Sequence, residues 1–382
     1  MNRKQELHSH YRRLLLDHIV PFWWRHGIDE EHGGVLSSMT EEGRVLSGDK
    51  YIWSQARWLW VCSALYNRVE ARPEFLVAAR QTMQFLLAHG RDDRGRWVYR
   101  TSREGRILDG AISIYSDCFA VYGLSEYYRA TKDSVALHTA LESYSYIRRR
   151  IEQPDFAEVA PAQLPPGRKA HAVPMILTEV SNELGQTSGA REIESAADEY
   201  ALRVMNHFVR PELGVLLEFL DAAYQPLPGN EGTAVEPGHA IESMWFVLHW
   251  ARRRGRHDVI RQACEVIRWH LEKGWDEQYG GIYLAIDAKG NPPFLAHAEK
   301  KVWWPHTEAL YALLLAHELT GAAWCMEWYD RVHAWSFSHF SMPGGEWRQR
   351  LDRTGKPITD LIALPVKDPF HLPRAVILIL GL

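Results

Sequence analysis

Histidine, glutamate and arginine recur in this chain at one kind of place, the opening of an apolar, tryptophan-bearing stretch. EPGHAIESMWFVLHW carries His239 and Glu242, and KVWWPHTEAL carries Trp303, Trp304, His306 and Glu308. KDPFHLPRA carries His371 and Arg374, KYIWSQARWLW places Arg57 one turn in, and KAHAVPMIL opens around His171. An imidazole moves protons near neutral pH, and a carboxylate orients it. A guanidinium steadies developing negative charge, and an indole face suits the C–H face of a sugar. Each residue alone has a structural explanation. A lone histidine is commonly a hydrogen-bonded core residue, a glutamate at a helix start satisfies free amides and the dipole, and Arg57 can partner a carboxylate. Their common phase points instead to one shared pocket.

The elements that must position them repeat along the chain. A Gly-rich turn between short β-like runs recurs at Gly34, Gly95, Gly214, Gly280 and Gly345. The interval is about 60–70 residues, with one gap about twice that, so one hairpin has diverged around the Pro-rich stretch 154–167. Apolar helices are expected to start at Ile52-Trp53, Ser116-Asp117, Pro174, Pro237, Pro305 and Pro373, proline being favoured at the first helical position. Amphipathic helices such as RPEFLVAARQTMQFLLAHG lie between them. Six such pairs at steady spacing predict an all-α fold, an (α/α)6 barrel with short β-hairpins between helices, as one domain over residues 1–382. An open helical solenoid would show polar capping repeats. In the barrel the apolar helices run parallel inside the ring, so their N-termini converge on one face.

Composition narrows the function. The 382 residues are 46% hydrophobic with a formal net charge of −4, and no basic run exceeds Arg148–Arg150, which argues against a nucleic-acid partner. No stretch approaches a membrane span and no apolar signal segment opens the chain, so a cytoplasmic protein is expected. The four cysteines, Cys62, Cys118, Cys264 and Cys325, are scattered and read as reduced core residues. Most of the 16 tryptophans read as core volume. No Gly-rich phosphate loop precedes a helix and no GxSxG appears. Glu242 and Glu308 would serve an inverting glycosidase, but histidines outnumber carboxylates at the helix starts and favour proton transfer. His171, His239, His306 and His371 form a conceivable metal set, without an HExxH or other local pair. A non-catalytic sugar-binding protein would need no such histidines. Helix N-termini disfavour imidazolium, so these rings are expected to be neutral bases.

These stretches, with YSDCFAVYGLSEYYRATKD, resemble the N-acylglucosamine 2-epimerase family, which includes cellobiose 2-epimerases and mannose isomerases. The resemblance runs from the first repeat to the C-terminus, and the family fold is the (α/α)6 barrel. It implies a cofactor-free, metal-free reaction on a monosaccharide or short saccharide. The ring opens, one histidine takes the proton beside the aldehyde, and a second returns it to the opposite face of a planar enediolate. Residue by residue, it makes His239 and His371 the catalytic pair and Arg57 the enolate-steadying group. Glu242 and Glu308 become orienters of substrate or histidine, with His171, Trp303, Trp304, His306 and Arg374 at the substrate. His171 resembles the cellobiose epimerases and mannose isomerases, whereas AVPMI and PFHLPR resemble the N-acylglucosamine branch. A gluco/manno 2-epimerase, on N-acetylated or plain sugars, is thus expected, with mannose–fructose isomerisation as the alternative. A homodimer is the family-level expectation.

Overall fold

The fold follows from a contrast between two kinds of connection. Residues 3–160, 163–359 and 365–382 are described in a computed structural model. Six helices form an inner ring: α3 (Ile52–Ala64), α5 (Ile114–Thr131), α7 (Ala172–Ser188), α9 (Pro237–Arg254), α11 (Trp303–Thr320) and α13 (His371–Leu380). Each packs against the next, and α13 returns to α3, which closes the ring. The outer layer is α1 (Arg3–Arg13) continuing through a wide turn into α2 (Val20–His26), then α4 (Pro73–His89), α6 (Ser134–Ile151), α8 (Arg191–Arg203), α10 (His257–Gly274) and α12 (Ala323–Phe340). The barrel is therefore (α/α)6, closed by joining its ends. The last inner helix, α13, packs against α1.

Inner helices α5, α7, α9 and α11 hand over to their outer partners through two-residue turns that begin in the left-handed region. Gly189, Gly255 and Gly321 take this conformation, and Lys132 takes it at the equivalent place (φ 59°). The return connections are long and carry the hairpins. Gly34, Gly95, Gly214, Gly280 and Gly345 all have positive φ, as the repeat requires. The diverged sixth hairpin is found where the spacing put it, as a bridge between Glu158 and Leu164, with 161 and 162 outside the described residues. Short strands leading into inner helices pair antiparallel with the following loop: Lys50–Tyr51 with Arg100–Thr101, Ala234–Val235 with Ile286–Asp287, and Lys301–Val302 with Arg350–Leu351. The hairpins so form a collar around the end where the inner N-termini gather.

Four expected helix starts lie two residues too late. The helices begin at Ile114, Ala172, Trp303 and His371, so Pro174, Pro305 and Pro373 are third residues; Pro237 is a first residue. The first four amides of a helix have no acceptor within it, so proline costs no hydrogen bond at any of these places. Tryptophan divides between two uses. Trp23, Trp58, Trp60, Trp97, Trp245 and Trp347 are buried between the layers, each worth about 4 kcal/mol or more before entropy is counted. Trp53, Trp303 and Trp304 face a cavity.

Candidate active site

The cavity, about 380 Å³, opens at the collar end of the ring. Inner helices contribute Trp53, Arg57, Tyr115, Phe119, Met175, Ile176, His239, Glu242, Trp303, Trp304 and His371. Glu236 and Asp368, just before α9 and α13, and the loop residues Leu284, Leu295, Ala296 and Arg350 complete most of the wall.

His239, in the first turn of α9, has its Nδ1 3.2 Å from Glu218 Oε1 and 3.4 Å from Glu236 Oε2. The other Glu218 oxygen lies 3.4 Å from His171 Nδ1, so one carboxylate holds two rings. Burial disfavours the His239 imidazolium, but Glu236 and Glu218 outweigh it and raise the ring to about 10. This overturns the expectation of a neutral ring, because two carboxylates within hydrogen-bond range act more strongly than a helix dipole. Burial pushes Glu236 up to about 7, with His239 opposing and Glu218 reinforcing the shift. Glu218, buried as well, is held well below the usual carboxylate range by the two histidines.

His371 is the first residue of α13. Its Nδ1 is 2.8 Å from Glu308 Oε1, and Arg374 Nη2 reaches the same oxygen at 2.8 Å while also pairing with Glu242. The second Glu308 oxygen accepts from Trp245 Nε1 at 2.8 Å. Burial would raise Glu308, yet Arg374 and His371 bring it down to about 2. Because ionised Glu308 only accepts, the His371 Nδ1 carries the hydrogen, and Nε2 of a neutral ring keeps its lone pair. Trp304 packs against both histidines, with ring centroids 5.1 Å from His239 and 5.7 Å from His371.

Arg57 donates from Nη1 to Asp368 Oδ1 at 3.0 Å, with its guanidinium over Phe119 (4.1 Å), Trp53 (4.8 Å) and Phe370 (5.0 Å). Burial lowers its pKa, with Asp368 opposing, and the group stays a cation. The other Asp368 oxygen accepts from the His371 amide at 2.7 Å and the Phe370 amide at 3.2 Å. One carboxylate therefore caps the helix that presents His371 and holds Arg57.

Six of the ten expected site residues line the cavity: His239, His371, Arg57, Glu242, Trp303 and Trp304. His171, Glu308 and Arg374 lie behind the wall, Glu308 and Arg374 as partners of the wall residues His371 and Glu242, and His171 on Glu218, the carboxylate that also holds His239. His306 departs altogether. It is fully buried, hydrogen-bonds Val302 O through Nδ1 (2.8 Å) and accepts the Ile282 amide at Nε2 (2.9 Å). Burial drops its pKa to about 3, and it stacks on Trp335. It fastens a hairpin, as Gln55 does in the first unit by bonding both the amide and the carbonyl of Val35. The sequence carried that signal: Gln55 follows Lys50, and His306 follows Lys301, by the same interval. Sequence reasoning missed Glu218, Glu236 and Asp368. Asp368 had a readable sign, an aspartate shortly before a helix start.

The four histidines weighed as a metal set are divided between the cavity wall, the layer behind it and the hairpin. Two tighter groups bring potential ligand atoms within 4.8 Å, His171–Glu218–His239 and Glu242–Glu308–His371. Glu218 is already taken up by two imidazoles, and the Arg374 cation binds both carboxylates of the second group. These donors fit hydrogen bonding better than a metal ion.

A barrel with two histidines on one tryptophan platform, and an arginine beside them in a sugar-sized cavity, defines a carbohydrate isomerase. The family model for N-acylglucosamine 2-epimerase (GlcNAc 2-epimerase) matches residues 33–374, and the chain belongs to that family. It is 32% identical over 371 residues to the N-acylglucosamine 2-epimerase of Bos taurus, covering 94% of this chain and 87% of that one. It is 28% identical to the mannose-6-phosphate isomerase of Rhizobium meliloti over 81% and 79% of the two chains. The solved cellobiose 2-epimerase of Bacillus thermoamylovorans B4167 superimposes with a TM-score of 0.86 over 99% of both chains at 20% identity, a likeness of fold. The protein is a sugar epimerase or isomerase. No described helix is long and apolar enough to cross a membrane.

Proposed function

We propose that this chain, as a single catalytic domain, interconverts gluco and manno epimers of an aldose: one of His239 and His371 removes the proton on carbon 2 and the other delivers its own proton to the opposite face. The observation that carries the reading is the shared Trp304 platform, with each ring anchored at Nδ1 by a carboxylate. A sugar lying on that platform presents carbon 2 to the Nε2 atoms. His239, held as imidazolium by Glu236 and Glu218, starts as proton donor. His371, with its Nδ1–H given to Glu308, starts as acceptor. After one turnover the roles exchange, which makes the reaction reversible. Arg57 meets the negative charge that appears on the enediolate oxygen only after deprotonation, so it lowers the barrier more than it tightens ground-state binding. Glu242 and Glu308 are both engaged by Arg374, so neither serves as a glycosidase acid. Four buried, unpaired cysteines suit a reducing, cytoplasmic setting.

Aldose–ketose isomerisation is the second reading, favoured by the Rhizobium meliloti relative. It shares the enediolate and differs in reprotonating carbon 1. Proton NMR in D₂O with glucose, mannose, N-acetylglucosamine and N-acetylmannosamine tests both. Deuterium at carbon 2 with appearance of the other epimer supports epimerisation. A ketose product decides for isomerisation, and no exchange with any sugar in either direction contradicts both.

A further inference from the structure

Arg350 has no role in the proton transfer, yet it belongs to the cavity wall. It stands directly opposite Val302 in the antiparallel pairing of Lys301–Val302 with Arg350–Leu351. Opposed residues project to the same face of a strand pair, and Val302 also lines the cavity, whereas Leu351 is buried on the other face. The other charged groups of the wall have partners: Arg57 has Asp368, Glu242 has Arg374, Glu236 has His239 and His371 has Glu308. The half-buried Arg350 side chain has no hydrogen-bond or ion-pair partner among the described residues.

A guanidinium left unmatched beside Leu284, Leu295 and Ala296, where water is partly excluded, is completed by an anion, and its planar fork suits phosphate and carboxylate oxygens. Its position says which part of a substrate would carry that anion. Trp304 holds the two histidines, and Val302 precedes it by two residues on the strand entering α11. Trp304 is the second residue of α11 and Val302 its N-cap, so Arg350, opposite Val302, stands outward of that platform on the collar side. An aldose whose carbon 2 meets the histidines has its aldehyde beside that platform, so the end that extends outward to Arg350 is the one remote from the aldehyde. We propose that Arg350 forms an anion subsite, and that the substrate is an aldose bearing a negative group at the end remote from its aldehyde. This rests on the epimerase or isomerase reading of the same cavity.

Calorimetric titration of glucose, glucose 6-phosphate and glucuronate into the wild type, Arg350→Gln and Arg350→Lys tests it, with D₂O exchange at carbon 2 run alongside. Loss of a charge-assisted bond is worth about 10–100-fold in binding. At least one anionic sugar is expected to bind wild type about 10-fold or more tighter than glucose, the tighter of the two naming the anion. That ratio should fall towards one in Arg350→Gln and survive in part in Arg350→Lys. Equal or weaker binding of both anions by wild type overturns the subsite, as does a ratio that persists in a folded Arg350→Gln. If the glutamine variant does not fold, the lysine variant decides: its ratio must drop and weaken further with added salt. Exchange with glucose but no anion preference defeats the subsite and leaves the epimerase reading. An Arg350-dependent preference without exchange in any sugar does the reverse.

Discussion

His239 and His371 hold the same place in two units of one repeat. His239 precedes Glu242 by three residues as His371 precedes Arg374, each histidine one turn before a charged residue on its inner helix. Their surroundings nevertheless differ. His239 faces two carboxylates with no arginine bound to either, and its side chain is 27% exposed. His371 shares its carboxylate with Arg374 and is 9% exposed. Excess negative charge favours imidazolium at one corner, and at the other an arginine shares the carboxylate that orients the ring. Inside a symmetric barrel, an acid and a base on opposite sides of a planar intermediate require this kind of broken symmetry, supplied by the neighbours and not by the histidines.

The largest way to break the comparison is to remove either ring. His239→Asn and His371→Asn should each reduce net epimerisation by about 10³-fold or more, since neither face can be reprotonated without its donor. A polarimetric or NMR rate near wild type for either variant defeats the pairing.

Arg57→Ala should lower kcat by about 10²-fold with a small change in KM, because the guanidinium meets charge only beyond the ground state. A variant whose main defect is a lower Tm would make Arg57 a structural partner of Asp368.

Glu236→Gln sharpens the electrostatic half of the comparison. His239 is raised, so its protonated form persists below about pH 10 and is lost as pH rises through that value. Removing one of the two carboxylates that raise it should move the alkaline fall of kcat/KM to lower pH by about one unit, in the direction that uses His239 as donor. An unmoved limb would show that Glu236 does not set the His239 charge.

The smallest effect concerns His306. His306→Ala leaves the Ile282 amide unpaired and should cost about 1–3 kcal/mol of stability by denaturant unfolding, and His306→Gln should recover most of it, as Gln55 does this work in the first unit. A large kcat loss in a stably folded His306→Gln would return that ring to the chemistry.

How far the sequence could be read follows from which residues obey a period. The inner helices, the hairpin glycines and the gathering of His239, His371, Arg57 and Glu242 were legible, because a fixed phase in a closed ring becomes a shared location. Phase alone does not separate wall from backing. Glu242, Glu308 and Arg374 stand at equivalent positions, and their mutual pairing, visible only in three dimensions, puts Glu242 on the wall and the other two behind it. Glu218 was invisible for a different reason. It sits in a long connection between short strands, where no period announces which side chain turns inward, yet its carboxylate holds both His171 and His239.

Two-sided proton transfer is tested most directly by following deuterium at carbon 2 for each single histidine variant with each epimer separately. The surviving ring can still take a proton from its own epimer and return a solvent deuteron to the same face. His239→Asn and His371→Asn should therefore each exchange carbon 2 without inversion, and with opposite epimers. Exchange of the same epimer by both variants, or inversion by either, would contradict the assignment of one histidine to each face.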